Sequence, residues 1–267
     1  MKTIGLLAGV GRLSVEFARA ARGMGFTVVA VALLPGVDRD LASAADRYHE
    51  ISVGQLAAII AALKAEGVSE VTMLGKVTKE LMFTGQVQLD DRVKRLLAGL
   101  KDHSDDTIML GFVRELAAEG IGVLDQTALI RALMPAPGVL SQRKPTAAEQ
   151  ADMEFGLKMA REIGRLDIGQ TVVVKNQAVL AVEAIEGTDA CIRRGGALGR
   201  GGAVVAKAAK PQQDQRFDVP GIGPDTLRSM IEAGVAALVM EAGKVLLVNK
   251  EEVLALADQH SITVVAM

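Results

Sequence analysis

Two hydrophobic periods alternate through the first half of the chain, and that alternation confines it to one fold class. IGLLAG (4–9), FTVVAVAL (26–33) and EVTMLG (70–75) are short buried-strand runs; LSVEFARAARGMG (13–25) and QLAAIIAALKAEG (55–67) place apolar residues at helical spacing. Two more helical stretches follow around DRVKRLLAGL (91–100) and DTIMLGFVRELAAEG (106–120), and IGVLD (121–125) closes the series as a strand. Strands that alternate with helices need crossover connections, which give a parallel sheet with helices on both faces. The expectation is an α/β protein whose N-terminal domain, residues 1–133, is Rossmann-like.

The second half breaks the pattern. A proline-bearing stretch, MPAPGVLSQRKPT, reads as a linker over 134–145, after which TAAEQADMEFGLKMAREIG forms a helix. TVVVK and AVLAVEAI are separated by Asn176 and Gln177 alone, a hairpin signal, and a second hairpin is expected in ALVMEAGKVLLVN with Ala242 and Gly243 at its turn. Residues 146–267 therefore read as a mixed α/β domain that carries the catalytic groups.

Chemistry concentrates between Asp167 and Thr226. Acids (Glu183, Glu186, Asp189, Asp214, Asp218), bases (Arg193, Arg194, Lys207, Lys210, Arg216) and glycines are interleaved there with short apolar runs. Bases neutralise phosphate oxygens and glycine backbone approaches them closely, but carboxylates beside a phosphate repel it unless a divalent cation intervenes or one of them acts as a base. GGALGRGGAVVAK reads as a flexible phosphate-covering loop before a strand ending in Lys207, without the spacing of a Walker motif. PQQDQRFDVPGIG gathers Gln213, Asp214, Arg216 and Asp218 in one irregular segment.

In the first half, Gly9, Gly11 and Ser14 stand at the three glycine positions of a dinucleotide fingerprint, directly after a strand. Ser14 in place of the third glycine, and LLPG where the second strand should end in a ribose-binding acid, weaken the nicotinamide version. Gly75 and Lys76 follow another strand at the carboxyl edge of the sheet, where ligands of such folds bind. Asp105 and Asp106 read as helix caps, and Cys191 as a small core residue.

With a net charge of -2 the chain lacks the basic character expected of a nucleic-acid binder. One cysteine and three scattered histidines offer neither a disulfide nor a zinc site. The longest apolar run, FTVVAVALL, is far below the roughly 20 residues that a spanning helix needs. A cytoplasmic protein is expected.

Asp167-Ile168-Gly169-Gln170, the VEAIEGTD run from Val182 to Asp189 with Arg193 after it, Lys207, Lys210 and QDQRFDVPGIG together resemble the LpxI-type UDP-2,3-diacylglucosamine pyrophosphatases of lipid A synthesis. The likeness runs from LLAGVGRL to ADQHSITVVAM. It implies a two-domain, usually dimeric enzyme needing Mg²⁺ or Mn²⁺ that cleaves UDP-2,3-diacylglucosamine to UMP and 2,3-diacylglucosamine 1-phosphate, with water attacking the phosphorus nearer the sugar. It places the catalytic aspartate on Asp218 within Arg216-x-Asp218-x-Pro220, not on Asp225, with Asp189 and Glu183 as nearby carboxylates. Asp218 and Asp189 are the expected metal ligands. Gly9, Gly11, Gly75, Lys76, Gln170, Thr188, Arg193, Lys207, Lys210, Gln213 and Arg216 are the expected substrate-binding residues. The diacylated substrate implies peripheral contact with the cytoplasmic face of the inner membrane. Two other readings stay open on sequence alone: a nucleotide-sugar or lipid carrier without catalysis, and a nicotinamide oxidoreductase.

Overall fold

A computed structural model describes residues 2–77 and 87–267. The chain divides into two compact units, Met1–Ile130 with Gln215–Phe217, and Arg131–Asp214 with Asp218–Met267.

In the first unit β1 (Thr3–Ala8), β2 (Thr27–Ala32), β3 (Arg47–Glu50), β4 (Glu70–Leu74) and β5 (Gly122–Val123) alternate with α1 (Leu13–Gly23), α2 (Leu41–Ala44), α3 (Leu56–Ala65), α4 (Asp91–Ala98) and α5 (Asp105–Ala118). The strands pair in parallel in the order β3-β2-β1-β4-β5, the Rossmann arrangement expected from the alternating periods. The central strands are buried almost throughout because helices cover both faces. Ser104 is the N-cap of α5, its side chain accepting from the Thr107 amide, and Asp105 and Asp106, read as caps, are the first two residues of the helix itself.

Strand order reverses between β1 and β4, and there the two following turns meet. A Cβ on Gly9 would lie 2.7 Å from the Lys76 carbonyl oxygen, and one on Gly75, whose φ is 91°, would lie 2.7 Å from the Gly9 carbonyl carbon. Each turn thus needs glycine because of the other. Val10 and Lys76 exchange backbone hydrogen bonds of 3.0 and 2.8 Å across the contact. Ser14, at the third fingerprint position, is buried and donates to the Leu74 carbonyl at 3.2 Å, which is why a hydroxyl serves where a glycine was expected.

The second unit contains β6 (Gly138–Val139), α6 (Ala147–Arg165), β7 (Thr171–Lys175), β8 (Ala178–Val182), α7 (Thr188–Gly199), β9 (Val204–Lys207), β10 (Gly221–Ile222), α8 (Pro224–Glu232), β11 (Ala237–Met240), β12 (Leu246–Leu247), α9 (Lys250–Gln259) and β13 (Thr263–Ala266). Its main sheet runs β6-β13-β11-β9-β7-β8, with β9, β11 and β13 parallel and the outer pairs antiparallel. The period of two sorts the core: Val172, Val174, Val204 and Ala206 pack against Met153 and Leu157 of α6, while Val173 and Val205 pack with Cys191 and Ile192 of α7. Within the stretch read as a linker, Gly138 and Val139 form β6 and pair with β13.

The hairpin at Asn176 and Gln177 forms, with φ of 52° and 55° at the two turn residues. The second expected hairpin does not. β11 pairs in parallel with β9 and β13, whereas β12 pairs with β10 in a separate two-stranded sheet. The apolar run of residues 237–249 suited either arrangement, and its strands found parallel partners distant in sequence. The glycine-rich segment is likewise no flexible loop. Gly195, Gly196 and Gly199 lie inside α7, where a Cβ on Gly195 would meet Val173 Cβ at 2.5 Å and one on Gly196 the Ala233 carbonyl oxygen at 2.4 Å. These glycines let the helix sit close to β7 and to the end of α8.

The buried carboxylate of Asp152 on α6 accepts from the amides of Asn176 at 2.9 Å and Gln177 at 2.6 Å, so it ties the hairpin turn to the sheet's helical cover. Asp152→Ala leaves two turn amides without their acceptor and should destabilise the unit by about 2–4 kcal/mol. Urea unfolding checks this; a midpoint equal to that of the parent protein would contradict it.

Candidate active site

The residue pattern of β9 aims a charge into the core. Lys207 shares the face of Val205, under α7, so its side chain runs inward and is only 5% exposed. Its Nζ donates to Thr188 Oγ1, the first residue of α7, at 3.0 Å and to the Gly221 carbonyl at 3.0 Å. Thr188 in turn donates to Glu183 Oε1 at 2.9 Å, giving a directed chain from ammonium through hydroxyl to carboxylate. Thr171, opposite Lys207 in the β7–β9 register, lies 3.4 Å from the same hydroxyl.

Glu183 is buried, and its Oε2 accepts from the Gln170 amide at 3.4 Å. The Asp-Ile-Gly-Gln motif owes its glycine to this approach, since a Cβ on Gly169 would lie 2.1 Å from the Glu183 carbonyl oxygen. A second arm starts from Gln213. Its Nε2 donates to Gln170 Oε1 and to Asp218 Oδ2, both at 3.1 Å, and its Oε1 accepts from the Lys210 amide at 2.8 Å. With all three bonds made, the amide fixes the orientation of the Asp218 carboxylate. The Asp218 amide also closes a turn onto the Asp214 carbonyl at 2.9 Å.

Burial pulls the Lys207 ammonium below the ordinary lysine value of 10.5, and Glu183, Asp189 and Asp218 oppose that pull by favouring the charge. Three carboxylates face one ammonium, so the cluster carries an excess of two negative charges when all are ionised. A phosphate could join it only with further positive charge. Carboxylate oxygens suit Mg²⁺ or Mn²⁺, which commonly take one or two protein carboxylates and complete their shell with phosphate and water. Among the described residues no group of three or more His, Cys, Asp or Glu side chains is placed to hold an ion by itself. Paired carboxylates of this kind fit a cation that completes its shell with substrate phosphate and water.

The structure thus brings Gln170, Glu183, Thr188, Asp189, Lys207, Gln213 and Asp218 together. Lys210 adjoins them through its amide, while its ammonium pairs with Asp167 at 2.7 Å. Arg193 points elsewhere on α7 and pairs with Glu232 at 3.1 Å. Asp225 is exposed at the start of α8 and pairs with Arg228 at 2.6 Å. Gly9, Gly11, Gly75 and Lys76 belong to the first unit, as does Arg216, whose neighbours Gln215 and Phe217 respectively accept from the Gln126 amide at 2.8 Å and pack on that unit's core. A Cβ on Gly11, at φ 121°, would meet no atom within 4 Å. Burial pushes the Cys191 thiol up to about 12, so it remains protonated as a core residue. Thr171 and the Gly221 carbonyl escaped sequence analysis; only the pairing of β7 with β9 reveals the first.

NMR titration of the Lys207 side chain should show proton loss below 10.5, and Glu183→Gln, which removes a charge that favours the ammonium, should lower the midpoint further. Titration at or above the ordinary value would contradict the geometry.

The LpxI N-terminal domain family matches residues 3–133, and the LpxI C-terminal domain family matches residues 136–265. A protein of Caulobacter vibrioides named UDP-2,3-diacylglucosamine pyrophosphatase LpxI is 36% identical, over 100% of this chain and 98% of its own length. Bifunctional purine biosynthesis protein PurH of Sinorhizobium medicae is 29% identical over 48% of this chain and 23% of its own length. Among solved structures, CobK precorrin-6A reductase is 15% identical with a TM-score of 0.36, covering 100% of this chain and 87% of that one. N5-carboxyaminoimidazole ribonucleotide synthetase of Thermotoga maritima is 16% identical with a TM-score of 0.29, covering 70% and 42%. Both halves are matched in order and a relative is similar from end to end: the chain belongs to the LpxI family.

Proposed function

We propose that the protein hydrolyses UDP-2,3-diacylglucosamine to UMP and 2,3-diacylglucosamine 1-phosphate, as the name of its Caulobacter relative suggests for that protein. The observation that carries this reading is an oriented carboxylate, Asp218 held by Gln213, near enough to the buried ammonium of Lys207 for its charge to favour the ammonium. Such a pair supplies what pyrophosphate cleavage requires: a group that takes a proton from water, and fixed positive charge at the phosphates.

In this mechanism Asp218 Oδ accepts a proton from the attacking water as the water oxygen bonds to the phosphorus nearer the sugar. The anhydride P–O bond breaks and its electron pair leaves with UMP, a phosphate anion that needs no protonation. Lys207 has used two of its three N–H donors on Thr188 and Gly221, and the third serves a phosphate oxygen. Glu183 and Thr188 keep the ammonium in place, and Lys210 adds charge after exchanging Asp167 for phosphate. Asp218 and Asp189 would hold Mg²⁺ or Mn²⁺, which when bound neutralises charge on both phosphates. A substrate with two acyl chains would be met at a membrane surface, so the reading makes the enzyme peripheral to the cytoplasmic face, and family resemblance adds a homodimer to the proposal. Among the described residues no helix is long and apolar enough to cross a membrane.

Asp218→Ala should lower the rate of UMP release roughly 10²–10⁴-fold while substrate still binds, whereas Asp225→Ala, altering an exposed ion pair, should stay near the parent rate. The reverse ranking would remove Asp218 from its role. Excess chelator should abolish turnover and added Mg²⁺ or Mn²⁺ restore it; undiminished hydrolysis in chelator would exclude the cation. Turnover in ¹⁸O-water should label the sugar 1-phosphate, and label in UMP would place the attack on the other phosphorus.

A further inference from the structure

A buried acid outside this cluster governs how the chain leaves β9. Met240, the last residue of β11, lies opposite Lys207 in the parallel register, and Glu241 follows it. The Glu241 amide donates to the Lys207 carbonyl at 3.0 Å, and its side-chain Oε2 accepts from the Ala209 amide at 3.1 Å. One residue therefore pins the backbone on both sides of the position after Lys207. From Ala209 the chain continues to Lys210, whose amide donates to Gln213 Oε1, and Gln213 holds the Asp218 carboxylate.

The cluster's energetics argue against a purely stabilising role. The Glu241 side chain is 7% exposed, and a carboxylate that far from water is a burden unless fully paired. Burial works to raise its pKa, yet the hydrogen bonds from Lys244 and the Ala209 amide, with the charge of Arg161, hold it below the usual carboxylate range, so it stays ionised. Oε1 receives Arg161 Nε at 3.1 Å and Lys244 Nζ at 3.0 Å. Those cations are 50% and 62% exposed, so water could satisfy them without Glu241. What no neighbour among the described residues replaces is the acceptor for Ala209.

We propose that Glu241 is a positioning residue for the reaction, fixing the segment from Lys207 to Lys210 and, through Gln213, the direction of Asp218. The inference rests on the hydrolytic reading above. Misplacing a reacting group by about 1 Å can cost about 10²-fold in rate.

The test uses the full chain and compares Glu241→Ala, Glu241→Gln and Arg161→Ala. UMP release from UDP-2,3-diacylglucosamine gives kcat and KM, and amide hydrogen exchange reports on residues 208–210 and 204–206 separately. Glu241→Ala should lower kcat roughly 10- to 100-fold with KM nearly unchanged. It should speed exchange at 208–210 by about 10-fold or more while 204–206 stay protected. Glu241→Gln, whose amide oxygen can still accept from Ala209, should recover most of kcat, and Arg161→Ala should remain close to the parent protein. Parent-like kcat in Glu241→Ala, or equal loss in the alanine and glutamine variants with exchange rising across 204–206, would overturn the proposal. A parent protein that releases no UMP would sink the hydrolytic reading instead; exchange then decides alone, and unchanged protection at 208–210 in Glu241→Ala would show that Glu241 fixes nothing there.

Discussion

A lysine ammonium held inside a protein core is the constraint from which the rest of the site follows. Moving Lys207 out of water is unfavourable by several kcal/mol unless carbonyls, hydroxyls and opposite charge replace the water. The fold provides each in turn: Gly221 contributes a carbonyl, Thr188 a hydroxyl, and Glu183, Asp189 and Asp218 contribute charge. The period of two in β9 decides that Lys207 points under α7 and not toward α6. The close packing of α7 on β7, permitted by Gly195, brings Thr188 within reach. Sequence, packing and electrostatics thus converge on one side chain.

The first unit carries a different kind of constraint. Its glycines were legible as a fingerprint, but their structural reason is mutual: Gly9 and Gly75 each exclude a side chain from the other, at the point where strand order reverses. Ser14 and the Val10–Lys76 bridge then lock the two turns. The same residues that suggested a phosphate site are required by the join itself.

Four strands of the first unit's parallel sheet were legible because strands and helices there have different periods and few interruptions; the edge strand β3 was not, since Arg47–Glu50 carries no apolar run. Also legible was the Asn176–Gln177 hairpin, where turn chemistry is local and both residues take positive φ. Residues 237–249 misled because an apolar run does not encode its partner: β11 and β12 join different sheets. The glycines of 195–202 misled because glycine permits a flexible loop and a tightly packed helix equally, and only the nearness of Val173 and Ala233 distinguishes them. In the site, Gln213 and Asp218 lie five residues apart and read as a unit, while Glu183, Thr188 and Lys207 meet through strand pairing that no spacing reveals. Arg193 looked equivalent to Lys207 in composition, yet the turn of α7 carries it to Glu232.

If the buried charge of Lys207 exists for the phosphates and not for the fold, its removal should separate the two. Lys207→Met keeps a similar volume in a side chain one atom shorter while abolishing the ammonium and its desolvation burden. The measurement is UMP release and thermal unfolding on the same preparation. The account predicts a fall in turnover of roughly 10²–10³-fold, the scale of a lost electrostatic contact to the transition state, in a variant that still unfolds cooperatively, its Tm lowered by the unpaired Glu183 and Gly221 but well above the assay temperature. Full activity, or activity lost only because the unit no longer folds, would contradict it.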